Sequence, residues 1–568
     1  MTSKKIQEHR SILQARRTQI EENRRDTKVT REQVLQLCAS FNAMSHASAL
    51  PYDILPLIFR EYLHSVMTNP DESDVDDDNL DDEEEDEDED EEKGRPPHWR
   101  WLVLMQVCHS WRAAMASSPI LWSQIDAKIS PYPDIVEKFI TMSHNTPLDI
   151  FMKSNIFSLA DPQKVMETLN KLMQGGRVRS LSLSFHQDIF QYVFSSNVNK
   201  ASLSQLQLLD IQILVNNGVS VTKPLLGLPL IMKAGLRSLR RVVLNNIFPD
   251  WTLLLNLPVS VTSLSILRNE QPPPGGTIKD VLALLKKLVH LQSLKLFCAL
   301  PPAAQESTQL VHMSKLKSFA VLGEATSGVS LFTSLMLPSD AMIHIELDVV
   351  PRLDVSAACK SVFSHLHRMY GDHRDPTRAS MYVDIDIVSL TMFKDTSQQL
   401  RLALVSPDKH RGLPVEPPTI FNDMIDAVTP RAFSSIVELQ TSFWRCRTSK
   451  LPNAMLRLLQ ATDHVEILGF HNWASAVPEL LQPRKNKKKT ILVPHLRYLG
   501  LSVVHIAEDT EVRPDWSLHG EAFIKCLVGR QARGHGIAIL ELDSCEISVS
   551  DPDAFRARLR AAVEELKG

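Results

Sequence analysis

The sequence predicts an α+β chain in three parts: a charged N-terminal helix, a small all-α domain split by a disordered acidic insertion, and an irregular α/β solenoid. Three observations point there. An apolar phrase of fixed internal spacing recurs from about residue 175 onward. Two short helical faces rich in leucine and tryptophan flank a run of carboxylates. And 568 residues are several times what one hydrophobic core organises, so a repeat array or more than one folding unit is required.

The first region, 1–45, contains a helix. Residues 4–38 hold no Gly or Pro, and Ile6, Leu13, Ile20 and Val34 fall at intervals of seven, with Thr27 in the remaining slot. Arg10, Arg17, Arg24 and Arg31 repeat at the same interval. A coiled-coil seam also needs apolar residues three positions on, where this chain has His9, Arg16, Asn23, Thr30 and Leu37. The pattern is a charged helix with a thin apolar stripe. It fits a solvated lead-in helix and leaves open a partner or self-association helix, or disorder.

The second region, 46–128, begins with SALPYDILPLIFREYL, in which Leu50, Ile54, Leu55, Ile58 and Tyr62 trace an amphipathic face. Pro51 fits a first helical turn. If the helix begins there, Pro56 removes an interior hydrogen bond at a cost of about 3 kcal/mol. Either the helix starts nearer Asp53 to Leu55, or it is kinked. The insertion occupies 69–97, and its centre at 71–92 has 18 Asp/Glu and no Lys or Arg. Like charges repel and almost nothing apolar is available to bury, so disorder is expected. Closing a loop costs only about 0.6 kcal/mol per doubling of length, so ordered halves can still meet across it. Order resumes in HWRWLVLMQVCHSWRAAM, where Trp101, Leu104, Val107, Cys108, Trp111 and Met115 keep i, i+3/i+4 spacing. SSPILWSQI then adds an apolar plug of Pro119, Leu121 and Trp122.

The third region, 129–568, carries the recurring phrase: apolar, two others, apolar, one other, apolar. It reads Val178–Leu181–Leu183, Leu206–Leu209–Ile211, Leu239–Val242–Leu244, Val261–Leu264–Ile266, Leu291–Leu294–Leu296, Leu316–Phe319–Val321 and Met342–Ile345–Leu347. It returns as Leu496–Leu499–Leu501 and Ile537–Leu540–Leu542–Cys545. The middle residues of the first seven lie 28, 33, 22, 30, 25 and 26 apart, with helix-like runs such as DVLALLKKLVHL (280–291) between phrases. In a leucine-rich repeat each unit gives one short strand whose LxxLxL residues enter a shared core, with a helix behind it. One unit cannot bury its face, but a stack can. Constant spacing over many copies favours this over a generic α/β domain. From 350 to 460 the register is not readable. There MYVDIDIVSLTMF (381–393) alternates like a strand, and IVELQ (436–440) and HVEIL (464–468) are further strand candidates.

The net charge of −5 hides a split. Outside 71–92, 62 basic residues face 49 acidic ones, a net +13. The excess is dispersed, no aromatic residue interleaves with the basic run PRKNKKK (483–489), and no nucleic-acid module is visible. That run reads as a solvated loop or a nuclear import signal. Seven scattered cysteines suggest reduced thiols, the N-terminus has no secretory apolar region, and no stretch reaches about 18 uncharged apolar residues. A soluble protein of the cytoplasm or nucleus is expected.

Catalytic signatures are missing: GxxxxGK[ST], GxGxxG, HExxH and GxSxG do not occur. Asp384 and Asp386 alternate along the predicted strand, where a solvated face is the plainer reading than an acid–base pair. His365, His367 and His373 crowd one region, but with Cys359 they match no common zinc spacing. No catalytic residue, metal or cofactor is assigned, and a binding protein rather than an enzyme is expected.

LPYDILPLIF followed by LVLMQVCHSWRAAMASSPILW resembles an F-box divided by an insertion. Leu50–Pro51 and Asp53–Ile54 match its opening, Val107–Cys108 and Trp111 its later helix, and Ser118–Pro119–Ile120–Leu121–Trp122 its close. With its charged N-terminal helix and irregular leucine-rich region, the chain is similar to fungal, especially basidiomycete, F-box proteins. TPLDIFM (146–152) resembles the first strand after the F-box in that set. The resemblance implies a substrate-recognition subunit of a Skp–cullin–F-box (cullin–RING) ubiquitin ligase. The F-box would bind a Skp-family adaptor, and the leucine-rich region an unidentified target protein. By position, Leu50, Pro51, Ile54, Leu55 and Ile58 would form the first half of the adaptor surface. Leu104, Val107, Cys108 and Trp111 would lie on the helix completing it, followed by Pro119, Leu121 and Trp122. The physical basis is helix-in-groove burial of aliphatic and aromatic anchors. Internal core is the competing reading, favoured for Trp111 and Trp122. Pro56 and the insertion motivate an alternative: a leucine-rich interaction scaffold whose degenerate F-box does not dock on the adaptor.

Overall fold

The computed structural model describes residues 50–68, 104–126, 133–153, 167–186, 203–214, 236–268, 275–303, 310–350, 353–370, 376–406, 413–428, 435–444, 451–482, 491–508 and 517–568, apart from scattered positions inside these ranges, together with single helical positions between 14 and 36. The acidic insertion, the basic run at 483–489 and the stripe residues Ile6, Leu13, Ile20 and Val34 lie outside them. Gln14, Thr18, Arg25 and Gln36 are helical and exposed. The chain divides into two compact units, Met1–Leu183 and Ser184–Gly568.

The first unit contains α1 (Leu55–Thr68), α2 (Leu104–Val107), α3 (His109–Ala116), α4 (Pro119–Trp122), β1 (Gln124–Asp126), α5 (Pro133–Met142), β2 (Leu148–Lys153) and the start of β3 (Val178–His186). The proline question is settled by where α1 begins. Ile54 N–H donates to Pro51 O (3.0 Å) in a tight turn, and regular helix starts at Leu55. Pro56 is then in the first turn, where its missing N–H costs nothing. Phe59 meets Trp111 edge-on at 5.1 Å between ring centres. Trp122 is buried, donates from Nε1 to Met115 O (2.7 Å) and stands edge-on to Phe139 at 5.1 Å. TPLDIFM supplies β2, which pairs in parallel with β1, Ile125 opposite Ile150.

The second unit holds a large, mostly parallel sheet. Its strands are β4 (Leu208–Leu214), β5 (Arg241–Asn245), β6 (Ser263–Leu267), β7 (Ser293–Phe297), β9 (Ser318–Glu324), β11 (Met342–Asp348), β12 (Arg378–Val383), β13 (Ile387–Lys394), β14 (Ser397–Val405), β15 (Glu438–Phe443), β16 (Ile467–His471), β17 (Tyr498–Ser502), β20 (Ile539–Asp543) and β22 (Glu565–Lys567). Short parallel pairings join β8 (Val311–His312) to β10 (Leu335–Met336), and β18 (His505–Ala507) to both β19 (Ser517–His519) and β21 (Glu546–Ser548).

The recurring phrase is the register of this sheet. Leu209, Val242, Leu264, Leu294, Phe319 and Ile343 stand opposite one another on successive strands. Ile211, Leu244, Ile266, Leu296, Val321 and Ile345 form a second row, and every member of both rows is at most 1% exposed. Each buried leucine contributes roughly 1.5–3 kcal/mol, realised only because the next strand covers it. The seventh phrase is shifted in register: Met342 is exposed, and Ile343, not Ile345, pairs with Phe319.

Behind the strands runs a row of helices, each contacting the next: α6 (Trp251–Leu254), α7 (Ile278–Lys287), α8 (Ala325–Thr333), α9 (Val355–Tyr370), α10 (Pro417–Ala427), α11 (Leu451–Ala461), α12 (Val477–Leu481), α13 (Gly520–Gln531) and α14 (Pro552–Ala562). The best-signalled is α7. Thr277 and Asp280 form a reciprocal capping box, Lys286 and Lys287 occupy the last turn, and Ile278, Val281, Leu282, Leu284 and Leu285 are buried. In α13, Arg530 is fully buried and donates to Leu492 O and Val493 O, each at 2.9 Å.

The stretch read as one strand at 381–393 is a hairpin. β12 and β13 run antiparallel, as do β13 and β14, so β13 is a reversed strand inside an otherwise parallel ladder. β14 joins β11 and β12 joins β15 in parallel, which lets the ladder resume. Asp384 is therefore not on a solvated strand face. It is buried in the turn, where its backbone N–H donates to Ile387 O (2.8 Å) and its carboxylate accepts from Tyr382 OH (3.1 Å).

A residue with left-handed backbone follows strand after strand: Asn246, Cys298, Asn472, Val503 and Ser544, with Gly323 at the equivalent place within β9. At Gly323 (φ +126°) an added Cβ would lie 3.1 Å from Cys298 Cα, so both conformation and space require glycine.

Candidate functional site

In α1 the apolar side chains divide between two faces. Leu55 and Phe59, one turn apart, are 2% and 1% exposed and lie in the unit's own core. Leu50, Ile54, Leu57, Ile58 and Tyr62 are 37% to 53% exposed. On one short segment this is a continuous aliphatic and aromatic stripe facing solvent, unlike the isolated exposed leucine of an ordinary surface. Pro51 is exposed at its start.

The remaining positions are distributed between surface and core. Val107 is exposed, and Leu104, Trp111 and Pro119 are half-buried. Cys108, Leu121 and Trp122 are buried, as are Ala114, Met115 and Ile125. A rigid partner would touch the first group and depend on the second only to hold it in place. Leu57 belongs to the stripe although sequence reasoning did not assign it. Its spacing of three from Ile54 was the available signal.

Two of the three clustered histidines, His365 and His367, are described, and they differ in environment. His365 is buried on α9, its Nε2 2.7 Å from Leu335 O and its Nδ1 2.6 Å from the Arg368 guanidinium. Burial lowers its pKa, so it is held neutral. His367 is exposed, and His373 lies outside the described residues. Among the described residues no cluster of His, Cys, Asp and Glu has the makings of a metal site, and no helix is long and apolar enough to cross a membrane. Cys108, Cys298, Cys359, Cys526 and Cys545 are free thiols, and burial pushes Cys359 up to about 12.

The outward positions of the sheet form a second surface. On β9 and β11, Glu324, Glu346 and Asp348 lie close enough to interact. Burial, with the two glutamates beside it, raises Asp348 to about 6. Glu324 is held below its usual range, despite its burial, by accepting hydrogen bonds from Ser327 and Thr326 at the start of α8. Further along, Trp444 is 5.2 Å from the His471 ring and donates to Ser442 Oγ (2.9 Å).

No protein family and no curated protein matches the sequence. Among solved structures, the chain is similar to TLR13 in the crystal structure of a TLR13–ssRNA13 complex, with 13% identity and a TM-score of 0.29 over 76% of this chain and 47% of that one. It is also similar to the leucine-rich repeat-containing protein LegL7 from Legionella pneumophila, with 11% identity and a TM-score of 0.24 over 62% and 88% of the two chains. The chain thus spans about half the length of the first of these.

Proposed function

We propose that this chain is a non-catalytic substrate-recognition subunit of a Skp–cullin–F-box ubiquitin ligase. Its first unit would dock on a Skp-family adaptor, and its leucine-rich unit would hold a target protein. The observation that carries the reading is the solvent-facing stripe of Leu50, Ile54, Leu57, Ile58 and Tyr62, at the place where the F-box resemblance puts the adaptor surface. Anchors of this kind bind by entering apolar pockets on a partner. The start of α1 at Leu55 supports the reading further, because Pro56 no longer argues for a broken helix. Co-expression with a Skp-family adaptor and capture of the complex tests it. Wild type should be retained. Retention of a Leu50→Ala, Pro51→Ala, Ile54→Ala triple variant at wild-type level would rule this surface out, and no capture of wild type would rule out the receptor role.

A further inference from the structure

The solenoid unit distributes its charge unevenly along one edge. The points where the chain enters β5, β6, β7 and β9 are neighbours, spanning about 14 Å at ordinary strand spacing. Backbone bonds tie them together: Thr262 N–H donates to Arg240 O (2.8 Å), Gln292 N–H to Thr262 O (2.7 Å) and Lys317 N–H to Gln292 O (2.7 Å). This edge carries Arg237, Arg240, Arg241, Lys286, Lys315 and Lys317, all exposed. None of them forms an ion pair among the described residues. The described carboxylates between 236 and 318 are Asp250 and Asp280, and both are engaged in helix caps.

Between the cations lies a second feature. Five residues before each central core position, the segments that lead into successive strands carry Arg237, Val259, Val289 and Ser314. Val259 and Val289 are 51% and 57% exposed. The two valines hold equivalent positions before adjacent strands, with Arg237 before the strand on one side and Lys315 before the strand on the other.

We propose that this edge docks an acidic protein segment with an aliphatic side chain, its carboxylates meeting the cations and its aliphatic group covering Val259 and Val289. Charge complementarity fixes the sign of the partner and steers its approach. The valines favour a polypeptide, whose branched aliphatic side chains can cover both, over a nucleic acid, whose one apolar substituent is the thymine methyl. Stacking platforms are also wanting: Trp251 is fully buried, and no described Phe, Tyr or Trp from 236 to 318 is exposed. The inference rests on the leucine-rich unit being the target-binding part and is independent of adaptor docking.

A fluorescein-labelled peptide of Glu and Asp with a central Leu-Val pair, titrated with the full chain by anisotropy at low and high salt, tests it. Binding should weaken with salt, since exposed charges are screened beyond about 8 Å at physiological ionic strength. An Arg237→Glu, Lys315→Glu, Lys317→Glu variant should bind at least about tenfold more weakly, and Val259→Ser with Val289→Ser about threefold more weakly, both with unchanged melting curves. Wild-type affinity in the charge-reversed variant overturns the proposal. So does an unaffected valine variant, which would indicate a bare polyanion site. Tighter binding of single-stranded DNA of matched length and charge overturns it in favour of nucleic acid. A chain lacking 71–92 should bind the peptide as the full chain does. A tenfold gain would instead assign the edge to the chain's own acidic tract, and no binding by either form would end the proposal.

Discussion

Leu264, on a strand, and Ile54, in the turn that opens α1, are both aliphatic, yet one is fully buried and the other 39% exposed. Leu264 is covered because Val242 and Leu294 stand opposite it on the neighbouring strands. Ile54 is at the start of a helix whose inward face is already occupied by Leu55 and Phe59. In the ladder each repeat supplies the cover for the next, so its leucines stabilise the fold. Around α1, Leu50, Ile54, Leu57 and Ile58 keep 37% to 53% of their surface exposed, so they add less to folding than a ladder leucine does. Residue type is the same in the two regions, and neighbours decide the role.

The sharpest way to break this comparison is to remove a rung. Leu264→Ala should destabilise the second unit by about 2–5 kcal/mol, the range for cavity-forming core truncations, read as a shift of the urea midpoint. A loss below about 1 kcal/mol would mean that the ladder core is loosely packed. Next in size, Gly323→Ala should cost about 1–3 kcal/mol, because alanine resists the left-handed conformation and would press on Cys298. Gly529 in α13, which has nothing within 4 Å of an added Cβ, should by contrast gain slightly on replacement by alanine.

A smaller effect is expected from Asp348. With its carboxyl raised to about 6, the folded protein keeps a proton that the unfolded chain has released above about pH 4. The group therefore reduces stability as pH rises from about 4 to 6 and holds that reduction at higher pH. Asp348→Asn should raise the melting temperature at neutral pH, with the gain shrinking toward acid. A gain independent of pH would contradict the assignment. Smallest of all, Ile54→Ala should leave stability within about 0.5 kcal/mol of wild type, as for a surface position. A loss comparable to that of Leu264→Ala would erase the distinction between the two regions.

Much of the ladder was legible because its strands repeat one spacing and every deviation would expose a leucine. The hairpin of β12 and β13 was not, since 381–393 alternates without interruption and the turn at Asp384 and Asp386 carries no glycine or proline. The left-handed positions were hidden for a related reason. Asn246, Asn472 and Gly323 are residue types that suit such backbone, but Cys298, Val503 and Ser544 are not, so tertiary packing rather than propensity sets them. On α1 the apolar face was visible, but its division was not. Spacing of three and four placed Leu55 with Ile54 and Ile58, and only packing against Trp111 shows that Phe59 and its neighbour one turn back point inward.

The most direct test of the central claim is the affinity of the full chain for a purified Skp-family adaptor, measured by calorimetry for wild type and for the Leu50→Ala, Pro51→Ala, Ile54→Ala variant. Tight binding by wild type, at least about tenfold weaker in the variant with its melting temperature unchanged, is the predicted result. Equal affinity for the two proteins, or no heat of binding from wild type, would contradict it.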